Sequence, residues 1–331
     1  MRINNILGTF MRNFGHSKAG FLRDRALITA FMDNVYYLPD KVTSSTRSVD
    51  LSRCTTYVVS PPSIKSNRSI LYFHGGAMCL SLWKFYLPLV YKLATNLEAT
   101  VIMPDYRLAP EHPFPSAIED SIEALEFVLD NFNNKDVTIV GDSAGGNLAL
   151  NVTLEHPDRI GRVCLMSPWL DLTHTSEYFD WNSSDDRVFR ESADRAAWLY
   201  TMGDIDWSFG ATDPDSRLNF ARRIRDPRVS PLFADIRKVS NIPFLIQASR
   251  SERLVGDSIS LFKHLGGRVE ESEIKSKTNK TVLEYTSGIH RISLWPDEPH
   301  VWQITRSTSL SAKSAIEDIT YFVRDQEHSP Q

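Results

Sequence analysis

The sequence predicts an α/β fold in which a mostly parallel central sheet carries helices on both faces. Short runs rich in β-branched and aromatic residues recur along the 331-residue chain, and helix-length amphipathic segments separate them. The runs are TTYVV (55–59), SILYF (69–73), ATVIM (99–103), DVTIV (136–140), RVCLM (162–166), PFLIQ (243–247) and TVLEY (281–285). Such alternation is typical of parallel strands joined by helical crossovers, and the length allows one large domain.

One helix and one insertion stand out between these runs. In SAIEDSIEALEFVLDNF, apolar residues repeat at helical spacing from Ile118 to Leu129, so this segment is expected to cover the sheet. Residues 170–230 are instead rich in aromatic and charged residues and poor in strand-like runs. Because their aromatic side chains need burial, we expect a helical lid or pocket wall there.

The composition excludes some classes of protein. The net charge of −4, with 42% hydrophobic and 24% charged residues, gives no reason to expect a nucleic-acid partner. Cys54, Cys79 and Cys164 are widely spaced, which fits a reducing compartment and provides no metal-type pair. No apolar run reaches the roughly 20 residues of a membrane span and no secretory signal is recognisable, so a soluble, cytoplasmic protein is expected.

The N-terminal residues have two interpretations. The first 32 residues mix basic and apolar side chains. Such a segment can lie on a membrane as an amphipathic helix, which would place the protein at the surface of the endoplasmic reticulum, or it can form a cap helix over a pocket. No feature of the sequence indicates an oligomeric state.

The strongest chemical motif is VTIVGDSAGGNLALNVTLEHP, in which Gly141-x-Ser143-x-Gly145 lies between a β-branched strand and a helix. Small residues two positions before and after the serine permit a tight strand-to-helix turn that lifts its hydroxyl above the sheet. The helix N-terminus beneath the serine favours developing negative charge. Ser143 is therefore the predicted nucleophile, and Asp142 is a neighbour expected to position local hydrogen bonds.

A second motif, ILYFHGGAMCLSLW, places His74-Gly75-Gly76-Ala77 directly after a strand. Acyl transfer needs backbone N–H donors where the carbonyl oxygen becomes an oxyanion, and glycine-like backbone lets consecutive amides point into a pocket. Gly76 and Ala77 are the predicted donors, with the amide of Ala144 as the third. His74 and Gly75 are expected to support this loop. Taken alone, the stretch would be interpreted as a plain glycine turn after a strand.

Three motifs in a fixed order resemble those of the hormone-sensitive-lipase family of α/β-hydrolases. They are HGG, DYRLAPEHPFPSA and GDSAGG, and the resemblance extends from about residue 55 to residue 305. It implies an α/β-hydrolase fold with a helical lid, and it implies neither a metal nor an organic cofactor. In that family the proline-rich loop supports the oxyanion loop, which implies a structural role for Asp105, Tyr106, Arg107 and His112. Ala77 departs from the family, which usually carries a third glycine there.

The expected division of the chain follows the same pattern. Residues 1–50 are expected to form an N-terminal cap segment and residues 51–325 the α/β-hydrolase domain. The lid insertion lies inside this domain at about 170–230, and residues 326–331 form a tail.

A serine nucleophile requires a base, which this chemistry places late in the chain on the loop after the last strand. His300, in WPDEPHVWQITRS, lies in a turn-rich loop before a C-terminal helix and matches the family's base by position. The stretch PHVWQ is similar to that of fungal members, among them the sterol-acetate hydrolases. His290, in SGIHRISLW, is the alternative base and lies closer to a strand end.

Two carboxylates in FLIQASRSERLVGDSISLF compete for the role of triad acid. The acid should lie on the turn directly after its strand, which is where Glu252 stands. The family usually has DPLRDE here, and alignment on Leu254 puts the catalytic aspartate at Glu252 and replaces the second aspartate with Gly256. Asp257 is the alternative acid; otherwise it is expected to begin the following helix as its N-cap.

Together these residues predict an enzyme that cleaves carboxylic esters through an acyl-enzyme. The expected substrate is a short-acyl ester, in particular an acetyl ester, of a lipophilic alcohol such as a sterol. Trp83 and Phe85, just beyond the oxyanion loop, predict a short acyl pocket. Two alternatives stay open: hydrolysis of an amide or formamide by the same residues, and ligand binding on an inactive hydrolase scaffold, as in gibberellin receptors, which lack the histidine base.

Overall fold

A nine-stranded sheet forms the centre of the part of the chain that the computed structural model describes. The described residues are 18–35, 37–66, 68–132, 137–181, 188, 190–203, 214–276 and 278–324. The strands are β1 (Thr46–Asp50), β2 (Thr55–Val59), β3 (Ser69–Phe73), β4 (Thr100–Pro104), β5 (Val137–Asp142), β6 (Ile160–Met166), β7 (Phe244–Ser249), β8 (Leu283–Ser287) and β9 (His290–Trp295). Their order across the sheet is β1-β2-β4-β3-β5-β6-β7-β9-β8.

The middle of the sheet is parallel and its edges are antiparallel. Parallel pairing runs from β4 through β3, β5, β6 and β7 to β9, whereas β1, β2 and β8 pair antiparallel with their neighbours. The predicted α/β class is therefore confirmed, and all seven predicted strands are present with ends shifted by at most two residues. Two strands were not predicted: β1, a polar and largely exposed edge strand, and β9.

Helices cover both faces of the sheet. They are α1 (Lys18–Val35), α2 (Asp40–Ser44), α3 (Trp83–Leu97), α4 (Ser116–Asn131), α5 (Ala144–Glu155), α6 (Glu177–Trp181), α7 (Arg190–Met202), α8 (Pro214–Arg223), α9 (Val255–His264), α10 (Glu271–Ile274), α11 (Trp302–Thr305) and α12 (Leu310–Arg324). Short 3₁₀ turns lie at Pro157–Arg159, Pro231–Phe233 and Ile236–Val239.

Alternate residues of the central strands build two separate cores. In β6, Val163 and Leu165 pack in the core that contains α4, α5 and α9, while Cys164 and Met166 face the core that contains α1, α3 and α12. This alternation follows from the two-residue period of a strand. Because both faces are covered, the central strands are mostly apolar, which is why their runs stand out in the sequence.

The predicted end segments lie partly outside the described residues. Residues 1–17, which hold much of the basic and apolar N-terminal pattern, and the tail at 326–331 are outside them. Within the described ranges, α1 packs on the core through Phe21, Ile28 and Met32, and the first strand already begins at Thr46. No described helix is long and apolar enough to cross a membrane.

The expected insertion at 170–230 is helical where it is described. It contains α6, α7 and α8, and its aromatic side chains Tyr178, Phe179 and Tyr200 are buried in the core. Phe189 and Trp207 of the same insertion lie outside the described residues. Burial of these rings ties the insertion to the domain beneath it.

Candidate active site

Ser143 stands on the turn between β5 and α5. Its backbone adopts φ 52° and ψ −120°, a conformation that L-residues rarely adopt. Glycines make the turn possible, because a Cβ on Gly145 would lie 2.0 Å from the carbonyl oxygen of Phe73, and one on Gly141 would lie 2.4 Å from that of Gly145. The small residues that the sequence places around the serine are therefore required by close backbone approach.

His300 and Glu252 meet this serine in one chain of contacts. The imidazole Nε2 of His300 lies 2.9 Å from Ser143 Oγ, and its Nδ1 lies 2.7 Å from Glu252 Oε2. The other oxygen of Glu252 accepts the backbone N–H of Ser249 at 2.9 Å. Glu252 is fully buried, whereas His300 retains some exposure toward the cavity. The carboxylate fixes the proton on Nδ1, which leaves Nε2 free to accept the serine proton.

Two strand ends bring these residues together. Glu252 follows β7 and His300 follows β9, and both strands run parallel to β5, which ends next to Ser143. Parallel strands put their carboxyl ends at one edge of the sheet, so the three side chains meet there.

The alternative base lies at the opposite edge. His290 is the first residue of β9, so it lies at the amino end of a strand whose carboxyl end carries the loop to His300. Its Nε2 donates to the carbonyl oxygen of Ser240 at 3.1 Å. Burial lowers the pKa of His290, consistent with a neutral side chain packed against Phe244.

The expectation that Asp257 caps its own helix is wrong. Helix α9 begins at Val255, two residues earlier, and no side chain caps it. The carboxylate of Asp257 instead accepts the backbone N–H groups of Leu170 and Asp171 at 2.7 and 2.9 Å. These amides belong to the loop after β6, so the carboxylate satisfies buried donors of another segment, and sequence position alone does not show this.

Burial raises the pKa of Asp257 to about 8, although the hydrogen bonds from the two amides lower this pKa. Between about pH 4 and pH 8 the folded protein therefore keeps a proton that the unfolded chain has released. The free energy of unfolding is expected to fall as pH rises through this window, by about 1.4 kcal/mol per pH unit at most.

An asparagine at position 257 does not titrate, so Asp257→Asn should remove this slope. The loop should stay in place, because the amide oxygen still accepts the two N–H groups. Urea unfolding of both proteins at several pH values measures the difference. The upper half of the window is the most informative, because Asp142, whose pKa burial raises to about 6, has largely titrated there. Equal slopes in the two proteins would show that Asp257 is ionised throughout.

The predicted oxyanion loop lies against Ser143. Gly75, Gly76 and Ala77 line the same cavity as Ser143 and His300. Gly76 has φ 119°, and a Cβ there would lie 1.9 Å from the carbonyl oxygen of Leu80. Ala77 has φ 57°, so an alanine adopts here the left-handed conformation that a third glycine would favour. Ala144 is the first residue of α5, where backbone N–H groups have no partner within the helix.

A buried network supports this loop. Asp142 Oδ1 accepts from the hydroxyl of Tyr72 at 2.7 Å and from the N–H of Gly75 at 3.1 Å. His74 donates from Nδ1 to the carbonyl oxygen of Gly75 at 2.7 Å, and its ring stacks on Tyr106 at 4.3 Å between centroids. The predicted supporting positions thus contact the loop itself.

The proline-rich loop joins the same network. Asp105 lies 3.7 Å from His74 Nε2 and accepts the hydroxyl of Ser81. Arg107 binds the buried carboxylate of Asp120, with Nη2 2.7 Å from Oδ1, which ties the loop to α4.

An apolar cavity of about 180 Å³ opens beside Ser143. The insertion expected to form a lid or pocket wall contributes Val188, Ala193 and Ala196 to the lining. The sequence did not single out the remaining wall residues individually: Leu80, Leu82, Tyr86, Trp169, Leu254, Val301, Ile304 and Thr305. Phe85 also lines the cavity, as expected, but Trp83 stacks on Tyr57 at 4.4 Å and is not among the lining residues. No local pattern marks these positions, because they converge from separate parts of the chain.

The fold, the tight turn at Ser143 and the cavity at the carboxyl ends of the strands are those of an α/β hydrolase. A family model described as alpha/beta hydrolase fold matches residues 70–281. The chain belongs to this family.

Named relatives in sequence and structure are esterases or acyl hydrolases. The chain is 35% identical to an esterase of Acinetobacter venetianus over 62% of each chain, so the match spans less than two thirds of that relative. It is 29% identical to an acetyl-hydrolase of Streptomyces hygroscopicus, over 83% of this chain and 81% of the relative. It also resembles the crystal structure of EstE5 soaked with p-nitrophenyl butyrate, with TM-score 0.72, 26% identity and 92% coverage of each chain. An esterase of the bacterial hormone-sensitive lipase family matches with TM-score 0.69, 25% identity and coverage of 92% and 90%.

Proposed function

We propose that this protein is a serine carboxylesterase that cleaves short-acyl esters, in particular acetyl esters, of a lipophilic alcohol such as a sterol. The observation that carries the proposal is the contact of His300 Nε2 with Ser143 Oγ at 2.9 Å, with Glu252 held on Nδ1 at 2.7 Å. The same histidine argues against an inactive ligand-binding scaffold, since such a scaffold needs no base at that place.

In the first half-reaction, Ser143 Oγ attacks the ester carbonyl carbon while His300 Nε2 takes the hydroxyl proton. The imidazolium formed is stabilised by the carboxylate of Glu252. The backbone N–H groups of Gly76, Ala77 and Ala144 bind the oxyanion of the tetrahedral intermediate. The intermediate collapses as the bond to the alcohol oxygen breaks and His300 gives its proton to the leaving alcohol, which leaves an acyl group on Ser143.

In the second half-reaction, water attacks the acyl carbon and His300 takes one of its protons. A second tetrahedral intermediate expels Ser143 Oγ, which recovers the proton from His300, and the carboxylic acid departs. No step of this cycle requires a group beyond the ester, water and the named residues.

The wall of the cavity supports a lipophilic ester. Its lining is mainly aliphatic and aromatic, with few polar side chains apart from the reacting groups. Transfer of apolar surface from water into such a wall contributes about 25 cal/mol per Å². The resemblance of PHVWQ to fungal sterol-acetate hydrolases and the name of the Streptomyces relative favour an acetyl ester.

Acetate to butyrate p-nitrophenyl esters are expected to be turned over faster than decanoate or longer esters, because Phe85 narrows a cavity of about 180 Å³. Measuring kcat/KM along the acyl series, with an acetylated sterol assayed beside it, tests this expectation. Phe85→Ala should shift the preference to longer chains, whereas Trp83→Ala, outside the lining, should not. A kcat/KM that rises steadily beyond eight carbons would identify a lipase instead.

Amide hydrolysis by the same residues is separated from ester hydrolysis by matched substrates. An acetanilide and the corresponding acetate ester present the same acyl group and differ in the leaving atom. The proposed carboxylesterase hydrolyses the ester faster, and faster cleavage of the anilide would reassign the activity.

A further inference from the structure

A second carboxylate–histidine pair contacts the wall of the cavity, because His174 bonds the lining residue Trp169 and Asp194 lies next to the lining residue Ala193. His174, in the loop between β6 and α6, is buried and adopts φ 53°. Its Nδ1 lies 2.7 Å from Asp194 Oδ1, and its Nε2 accepts the indole N–H of Trp169 at 3.0 Å. The indole and imidazole planes differ by only 5°, with ring centroids 5.7 Å apart.

The indole determines which nitrogen of His174 carries the proton. An indole N–H can only donate, so Nε2 must accept and is unprotonated. The proton of the neutral ring is then on Nδ1, from which it is donated to Asp194. Reversing the tautomer would set two N–H groups against each other at Trp169 and would leave Asp194 without its donor.

This chain of bonds joins two walls of the cavity. Trp169 lines the cavity, and its backbone N–H donates to the carbonyl oxygen of Ser143 at 2.9 Å. Asp194 belongs to α7, whose neighbouring residues Ala193 and Ala196 also line the cavity. His174 is thus bonded to a ring beside the nucleophile and to the lid helix at once.

The base of the loop is seated tightly on α9. A Cβ on Gly256 would lie 1.8 Å from Ser176 Oγ, so only glycine at this position allows the present packing. The His174 ring itself stacks on Phe179 at 4.3 Å between centroids. The imidazole is therefore confined between Phe179 and Trp169, which reduces the entropy lost when it holds the indole.

We propose that His174 is a positioning residue: it holds the indole of Trp169 in the cavity wall and links its position to the lid helix α7. The ring thereby determines how well the cavity fits the larger part of an ester. This inference rests on the proposed esterase function. Because Ser143, His300 and Glu252 keep their own contacts without it, the effect should fall on substrate binding more than on the chemical step.

His174→Phe tests the proposal, because it keeps a ring between Trp169 and Phe179 but can neither accept nor donate. Loss of the bonds should raise KM for p-nitrophenyl butyrate roughly tenfold, while kcat for p-nitrophenyl acetate stays within about twofold. The exposed His264, on α9, provides the matched control, and His264→Phe should leave both constants unchanged. Equal constants for wild type and His174→Phe would overturn the proposal.

Coupling to the indole is tested in a Trp169→Phe background, which lacks the N–H donor. If His174 acts through that donor, His174→Phe should add little to the KM of the Trp169→Phe protein. An effect as large as in the wild type would show that His174 acts by another route.

A readout independent of hydrolysis is the nitrogen NMR spectrum of histidine-labelled protein. The signals of His174 are identified by their absence from the spectrum of His174→Phe, or by direct assignment if that variant does not fold. They should be those of a neutral ring protonated on Nδ1. The opposite tautomer would overturn the inference. A wild type that hydrolyses neither ester but shows the expected tautomer would refute the esterase function and leave the positioning of Trp169 intact.

Discussion

Replacing Ser143 with alanine is expected to abolish ester hydrolysis and covalent labelling by an organophosphate while the fold persists. The side chain supplies the attacking oxygen, and loss of such a nucleophile lowers kcat on the order of 10⁶-fold in a serine hydrolase. The backbone of the turn does not depend on the hydroxyl. The N–H of Ser143 donates to the carbonyl oxygen of Met166 at 3.0 Å, and its own carbonyl oxygen accepts from Gly146 and Trp169 at 3.0 and 2.9 Å.

Mass spectrometry after organophosphate treatment measures the labelling, and circular dichroism measures the fold. Ser44→Ala, at an exposed serine of α2, is the matched control and should be labelled like the wild type. Labelling of Ser143→Ala at wild-type stoichiometry would place the reactive residue elsewhere in the chain.

Glu252→Gln is expected to lower kcat by up to about 10⁴-fold, the loss seen when a triad acid becomes an amide. The structure explains why the amide cannot substitute. Both oxygens of Glu252 accept N–H groups, one from His300 and one from Ser249. Glutamine has only one oxygen, so its NH₂ must face either the Ser249 amide or His300 Nδ1. In the second case the imidazole adopts the tautomer that cannot take the serine proton.

Asp257→Asn is the matched comparison and should change kcat by no more than a few-fold. In the wild type the carboxylate of Asp257 accepts the backbone N–H groups of Leu170 and Asp171, and the amide oxygen of asparagine can accept both. Steady-state kinetics of the two variants, after each is shown to be folded, separates the roles. A large loss in Asp257→Asn with Glu252→Gln nearly unaffected would reverse the assignment of the triad acid.

Local patterns predicted the sheet because its central strands are buried on both faces. Such strands are mostly apolar, so runs such as SILYF stand out in the sequence. The strand β1 escaped prediction because it is a polar edge strand, and β9 because His290 and Arg291 open it with polar side chains. Where burial does not constrain the residues, the pattern is weak.

The sequence by itself determined the turn of Ser143, since the small residues that this turn needs are neighbours in the chain. It also placed Glu252 directly after its strand and His300 late in the chain. The sequence does not show that these side chains contact one another, because Ser143 and His300 lie 157 positions apart in the chain. Only the parallel register of β5, β6, β7 and β9 brings their carboxyl ends to one edge and so selects His300 over His290.

Tertiary structure alone decided the partners of the remaining polar side chains. Asp257 bonds a loop that lies 86 residues away from it, and Trp83 stacks on β2 instead of lining the cavity. The bonds of His174 to Asp194 and Trp169 likewise depend on how helix α7 packs over the loop after β6. Steric and periodic constraints act between neighbours in the chain, so the sequence shows them directly. A hydrogen bond between distant segments forms only when packing has set the distance and direction between its donor and acceptor.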